Sequence, residues 1–165
     1  MAVNRLESRL GIYQRYEKSI NKGNIARFVG RKFHDEAYDG MPKTVQQIYD
    51  EKLYDTLTIC NRSGETAFSI TIDKHKDGLD IASIIDKERN KPWSQKKYES
   101  YVEISNNLLQ SMESRGEEVQ YIDDVKGLQS EAKSMVKKGM FITLAQKVQK
   151  HSTQLPLNHL KGSER

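Results

Sequence analysis

The residues best placed to do chemistry are three aspartates around one predicted turn. Asp73 and Asp77 flank a short basic stretch just after a predicted strand, and Asp80 follows close behind. Carboxylates at a strand end are ligands that Mg²⁺ prefers, so this group is compatible with a small Mg²⁺-dependent nuclease. The same residue types are ordinary in a surface turn, which is the favoured interpretation. We therefore predict no metal site and no cofactor.

Known catalytic motifs are missing from the 165 residues. The sequence has no G-x-x-x-x-G-K-[ST] phosphate loop, no G-x-G-x-x-G, no H-E-x-x-H and no G-x-S-x-G. Cys60 is the single cysteine, which excludes an internal disulfide and favours a reducing compartment. We predict no catalytic residues, and a non-enzymatic protein is the favoured reading.

Charge is distributed unevenly along the chain. Residues 1–33 hold eight basic and two acidic residues. Residues 34–128 hold 12 basic and 19 acidic residues, and residues 129–165 hold seven basic and two acidic residues. The resulting net charges are +6, −7 and +5, which agree with the overall +4. Basic ends would attract phosphate backbones, whereas the acidic middle would repel them and suit a basic protein partner. Alternatively, these charges only solvate helix faces.

The order of predicted elements over residues 3–73 is helix, helix, helix, hairpin. This order resembles a helix-turn-helix unit followed by a wing, at the level of the fold alone. The third helix would enter the major groove, where glutamine can pair with adenine, and basic side chains would bind phosphate. We therefore predict a non-enzymatic nucleic-acid-associated accessory protein with these binding residues: Arg5, Arg9, Arg15, Arg27, Arg31, Lys32, Lys43, Gln46, Gln47 and Arg62.

Two other functions stay open. One is a structural, assembly or inhibitory protein of a phage or mobile element, which would bind another protein through the acidic middle or through helix 94–115. The other is the small nuclease that uses Asp73 and Asp77. Trp93 is a candidate for stacking on a base or anchoring a partner, although covering the core is the favoured role.

The elements that must position these residues give a mainly helical α+β fold. We expect about six helices around a small antiparallel sheet, formed by a hairpin over 55–73 and a possible third strand at 118–122. Ser94 and Gly116 are suited to cap the long helix 94–115. Residues 1–150 are expected to form one domain and 151–165 a flexible tail. No apolar run is long enough to span a bilayer, so we expect a protein of the cytoplasm or of a particle assembled there.

Overall fold

Five helices and one β-hairpin make up the described part of the chain. The computed structural model describes residues 1–72 and 78–152, with side chains described as far as Val136. In chain order the elements are α1 (Arg5–Asn21), α2 (Arg31–Asp50), β1 (Thr56–Cys60), β2 (Thr66–Thr71), α3 (Ile81–Arg89), α4 (Gln95–Arg115) and α5 (Val119–Ser152). The predicted class, a mainly helical α+β fold with a small antiparallel sheet, is confirmed.

The long helix predicted over 94–115 is confirmed together with its caps. The hydroxyl of Ser94 accepts a hydrogen bond from the backbone amide of Lys97 at 3.1 Å, which satisfies an otherwise unpaired amide at the start of α4. Gly116 ends the helix in the left-handed conformation, with φ of 71°. A residue without a Cβ adopts this conformation at little cost.

The prediction of three helices before the hairpin is wrong, because the second and third are one helix. A single helix, α2, runs from Arg31 to Asp50 with Pro42 inside it. Met41, Val45 and Tyr49 lie four residues apart and all pack into the same core, so burial of this stripe offsets the backbone hydrogen bond that Pro42 cannot donate. The helix-turn-helix arrangement is therefore not formed.

The hairpin is confirmed, but the possible third strand is not. Leu57 pairs with Ile70 and Ile59 with Phe68 in an antiparallel ladder of two strands. Residues 119–122 instead form the first turn of α5, which begins at Val119. Val125, Leu128 and Ala132 lie at helical spacing and pack into the core. This longer apolar stripe favours a helix more strongly than the short strand-like alternation around Tyr121 favours a strand. From Val119 to Ser152 the chain is one helix, so the described residues hold five helices where about six were expected.

Two hydrophobic cores hold the elements together. The bundle core lies between α1, α4 and α5 and includes Leu10, Tyr101 and Met112. The sheet core lies between α2, α3 and the hairpin and includes Ile59 and Ile81. The predicted tail lies outside the described residues, apart from the last two residues of α5. Within the described residues, no helix is both long enough and apolar enough to cross a membrane.

The start of the chain joins the two cores. The Ala2 amide donates to the Cys60 carbonyl of β1 at 2.8 Å, and Ala2 is buried in the sheet core. Asn4 then caps α1 through its side-chain oxygen, which accepts from the Leu6 amide at 2.9 Å. The Asn4 amide group donates to the Arg89 carbonyl at the end of α3, at 3.1 Å. These bonds fix the position of α1 relative to α3.

Candidate functional site

A cleft lies where the start of α1 meets α2 and α3. Its volume is about 830 Å³, which is within the range of small-molecule sites. The start of α1 contributes Asn4 and Arg5, and α2 contributes most of one wall. The remaining lining residues come from α2, α3 and the segments that follow them: Tyr38, Asp39, Pro42, Lys43, Gln46, Gln47, Asp50, Glu51, Ala82, Asp86, Arg89 and Asn90.

Arg89 is the deeply buried cation of this cleft. Only 5% of its surface is exposed, and its Nε has no hydrogen-bond partner among the described residues. Its guanidinium carbon lies 3.8 Å from the centre of the Tyr38 ring, a stacking distance for a cation over an aromatic face. Its nearest carboxylate belongs to Asp86, whose Oδ1 is 4.0 Å from Nη1 and therefore beyond hydrogen-bond distance.

Tyr38 forms the floor on which Arg89 lies. Its hydroxyl donates to the Val3 carbonyl at 2.8 Å, and burial raises the pKa of Tyr38, so the phenol keeps this proton. Arg5 lies over the same ring, with its guanidinium carbon 4.9 Å from the ring centre. Arg5 is also ion-paired with Asp39 and donates hydrogen bonds to it, so it differs from Arg89 in having a hydrogen-bonded carboxylate.

The wall formed by the second half of α2 is polar and rich in acceptors. Gln46 is held in place, since its amide group donates to the Leu79 carbonyl at 3.0 Å and its oxygen accepts from the Ala82 amide at 3.1 Å. Gln47 donates to Glu51 at 2.6 Å, and the Asp50 carboxylate accepts from Gln46 at 2.8 Å. The cleft therefore combines the buried cation Arg89 with exposed carboxylates at both ends, Asp39 and Asp86 near Tyr38 and Asp50 and Glu51 at the end of α2.

Arg9 is the second buried arginine, and it lies outside the cleft. Its Nη2 and Nε donate to the two oxygens of Asp35 at 2.6 and 3.0 Å, and its Nη1 donates to Glu131 at 3.4 Å. The hydrogen bond from Arg9 lowers the pKa of Asp35 to about 2. This network ties α1 to both α2 and α5.

Ser8, His34 and Asp35 form a hydrogen-bonded chain that has the order of a nucleophile, a base and an acid. The Ser8 hydroxyl lies 2.8 Å from His34 Nε2, and His34 Nδ1 lies 2.9 Å from Asp35 Oδ1. Neither the cleft described above nor the second cleft, between α1, the hairpin and α4, is lined by Ser8 or His34. His34 hydrogen-bonds to the carboxylate that accepts from Arg9, so this chain orients Asp35 toward Arg9.

The structure separates the residues predicted to bind nucleic acid. Arg31 is ion-paired with Glu131 at 3.3 Å, as Arg5 and Arg9 are with their own carboxylates. Arg62 folds back to donate to the Glu7 carbonyl and to Gln14. The cleft collects Arg5, Lys43, Gln46 and Gln47. The other predicted binding residues, Arg15, Arg27 and Lys32, are exposed and line neither main cleft.

The remaining sequence candidates have ordinary structural roles where they are described. Asp80 caps α3, since its carboxylate accepts from the Ser83 amide at 2.8 Å. Asp73 and Asp77 lie outside the described residues, and the magnesium alternative stays a prediction. Trp93 is buried against Tyr101, with ring centres 4.9 Å apart, which confirms its favoured core role. The protein partner stays a prediction.

Sequence analysis did not identify Arg89 or Tyr38 as site residues, although the sequence carries one signal for Arg89. Arg89 follows Ile81 and Ile85 at intervals of four, so it continues the stripe that α3 buries. An arginine at a buried helical position is unusual because a charge seldom leaves water without a partner. Tyr38 gave no comparable signal, because its role depends on the packing of α2 against α3.

Comparison with known proteins finds a family model that matches part of the chain. A family model described as Zeta toxin matches residues 1–71, which include α1, α2 and the hairpin. No curated protein was found to match the chain. The match indicates a toxin family, so the predicted non-enzymatic nucleic-acid accessory function is wrong. The ion-pairing of Arg5, Arg9 and Arg31 is a physical reason for that error, because formal charge in the sequence did not translate into a free cationic face.

Proposed function

We propose that this chain acts as a toxin, or as a working part of one, through a small ligand held in the cleft between α1, α2 and α3. The match of residues 1–71 to the Zeta toxin family carries the proposal. Ten of the fourteen residues that line the cleft lie within the matched segment, and Ala82, Asp86, Arg89 and Asn90 supply the other four. The segment that resembles a toxin therefore builds most of the site.

The chemistry of this site differs from that of a phosphate-loop enzyme. A G-x-x-x-x-G-K-[ST] loop would hold nucleotide phosphates with successive backbone amides, and the sequence does not contain this motif. The cleft instead presents side chains, namely the guanidinium of Arg89 and the amides and carboxylates of α2. We propose that recognition of the ligand depends on these side chains and takes place in the cytoplasm, where Cys60 would stay reduced.

Regulated expression in a bacterial host tests the proposal. Induction of the wild-type chain is expected to reduce the number of colony-forming units relative to an empty vector. Gln47→Trp places a bulky ring at an exposed, cleft-lining position of α2 and should restore growth by blocking the cleft. Glu36→Trp is the matched control, since it adds the same ring to an exposed position of α2 that does not line the cleft.

The outcomes of this test are distinct. Growth arrest by the wild type and by Glu36→Trp, with recovery in Gln47→Trp at equal protein level, supports the proposal. Absence of arrest by the wild type at a high soluble level contradicts it. Arrest that is equally strong in both variants would retain a toxic chain and exclude the cleft as its working site.

A further inference from the structure

We infer that Arg89 is an oxyanion receptor, and that the cleft binds a small molecule carrying a carboxylate or phosphate group. The inference concerns the cleft that the proposed function uses. It rests on that proposal only for its link to growth, because binding is measured on the purified protein. Neither the family match nor the sequence motifs assign a role to Arg89, which lies beyond residues 1–71.

A buried guanidinium without hydrogen bonds is costly for the folded protein. Transfer of a charge out of water is offset only when its donors find partners, and arginine has five N–H donors to satisfy. Within the described residues, Arg89 makes no side-chain hydrogen bond, and only its Nε is both fully buried and unpartnered. Its terminal nitrogens therefore keep contact with the open space of the cleft that Arg89 lines.

The neighbours of Arg89 orient it without satisfying it. Tyr38 lies under the plane of the guanidinium and so leaves the N–H groups at its edge unpaired. Asp86 is the nearest carboxylate, but 58% of its side chain is exposed and its oxygen is 4.0 Å away. Asn4 holds the backbone of Arg89 through the carbonyl, at 3.1 Å. The side chain is thus fixed in place with its donors unused.

The planar edge of a guanidinium matches two oxygens of a carboxylate or a phosphate. An oxyanion bound there would supply the missing hydrogen bonds and would neutralise the buried charge. The exposed carboxylates of the cleft, Asp39 and Asp86 near Tyr38 and Asp50 and Glu51 at the end of α2, would accept hydrogen bonds from hydroxyl or amino groups. The cleft therefore fits a compact ligand that presents one anionic group to Arg89 and carries hydrogen-bond donors elsewhere.

Nuclear magnetic resonance of arginine Nε–H groups tests this inference on the full chain. The Arg89 resonance is assigned by its loss in Arg89→Met, and inorganic phosphate, phenyl phosphate and acetate are titrated against chloride at equal ionic strength. We expect phosphate, acetate or both to shift this resonance saturably, and chloride not to do so. Binding to Arg89→Met should be about tenfold weaker or more, given the usual strength of charged hydrogen bonds.

Two further variants keep the result interpretable. Arg15→Met removes an exposed arginine that lines neither main cleft and should leave the affinity unchanged. Arg89→Lys retains the charge but loses the planar pair of donors, so its affinity should fall between wild type and Arg89→Met. No saturable shift with any oxyanion, or equal affinity in Arg89→Met, overturns the inference. Binding without toxicity would overturn only the proposed function, and toxicity without binding only this inference.

Discussion

Arg9 and Arg89 are both buried, with 8% and 5% of their surfaces exposed, yet their surroundings differ in kind. Asp35 takes two hydrogen bonds from Arg9 and Glu131 a third, so that arginine joins three helices as a structural element. Arg89 stacks on Tyr38 and forms no side-chain hydrogen bond within the described residues. Burial of an arginine is therefore no marker of function by itself. The completeness of its hydrogen bonds distinguishes a structural arginine from one that is available to a ligand.

The largest expected effect is the loss of stability in Arg9→Met. Removing this guanidinium leaves the half-buried Asp35 without its main partner, and breaking such a pair costs about 3 kcal/mol. Arg89→Met replaces an unsatisfied charge with a flexible apolar side chain, so its free energy of unfolding should change by about 1 kcal/mol or less. Urea unfolding of both variants measures this difference. Equal destabilisation by the two substitutions would contradict the comparison.

The next effect is a dependence of stability on acid that belongs to the Arg9 network. Arg9 holds the pKa of Asp35 at about 2, below the ordinary value of 3.8. Because the folded-state pKa is the lower one, the stabilisation is fully present above about pH 4 and is lost as the pH falls toward 2. Its size is about 2 kcal/mol, and Asp35→Asn should lack it. Unfolding measured between pH 5 and pH 2 in wild type, Asp35→Asn and Asp86→Asn tests this, with Asp86→Asn expected to follow wild type.

A smaller effect is expected where Asn4 connects the two regions. Asn4→Asp keeps the oxygen that caps α1 but loses the donor to the Arg89 carbonyl, which should cost about 1 kcal/mol. Asn4→Ala loses both bonds and should cost more, by about another 1 kcal/mol. Denaturant unfolding of the two variants separates these contributions. If Asn4→Asp is as stable as wild type, the bond to α3 does not hold the cleft together.

Much of the fold was predictable because local signals and tertiary packing agreed. Ser94 and Gly116 bounded α4, and the alternation of Phe68 and Ile70 with polar residues identified the hairpin. Prediction failed where a long apolar stripe outweighed a local signal, namely a helix-breaking residue or a short strand-like pattern. Pro42 lies inside α2 for this reason, and Tyr121 belongs to a helix instead of a strand. A short window of sequence shows the local signal, whereas the packing that outweighs this signal involves elements that are distant in sequence.

The site was much less predictable than the fold. The sequence showed a basic N-terminal segment but not that Asp35, Asp39 and Glu131 neutralise its arginines, since those ion pairs depend on how α1 packs against α2 and α5. Arg89 and Tyr38 are 51 positions apart and meet only when α3 packs on α2. The ligand-binding role proposed for them depends on that tertiary contact.

The most direct test of the central claim, that the unsatisfied Arg89 binds an oxyanion, is the effect of inorganic phosphate and of acetate on the melting temperature. A ligand that binds only the folded state stabilises it in proportion to the logarithm of its concentration above Kd. Wild type and Arg15→Met should therefore melt at higher temperature in phosphate, in acetate or in both than in chloride of equal ionic strength, whereas Arg89→Met should show no such rise. An equal rise in all three proteins, or no rise in wild type with either anion, would contradict the claim.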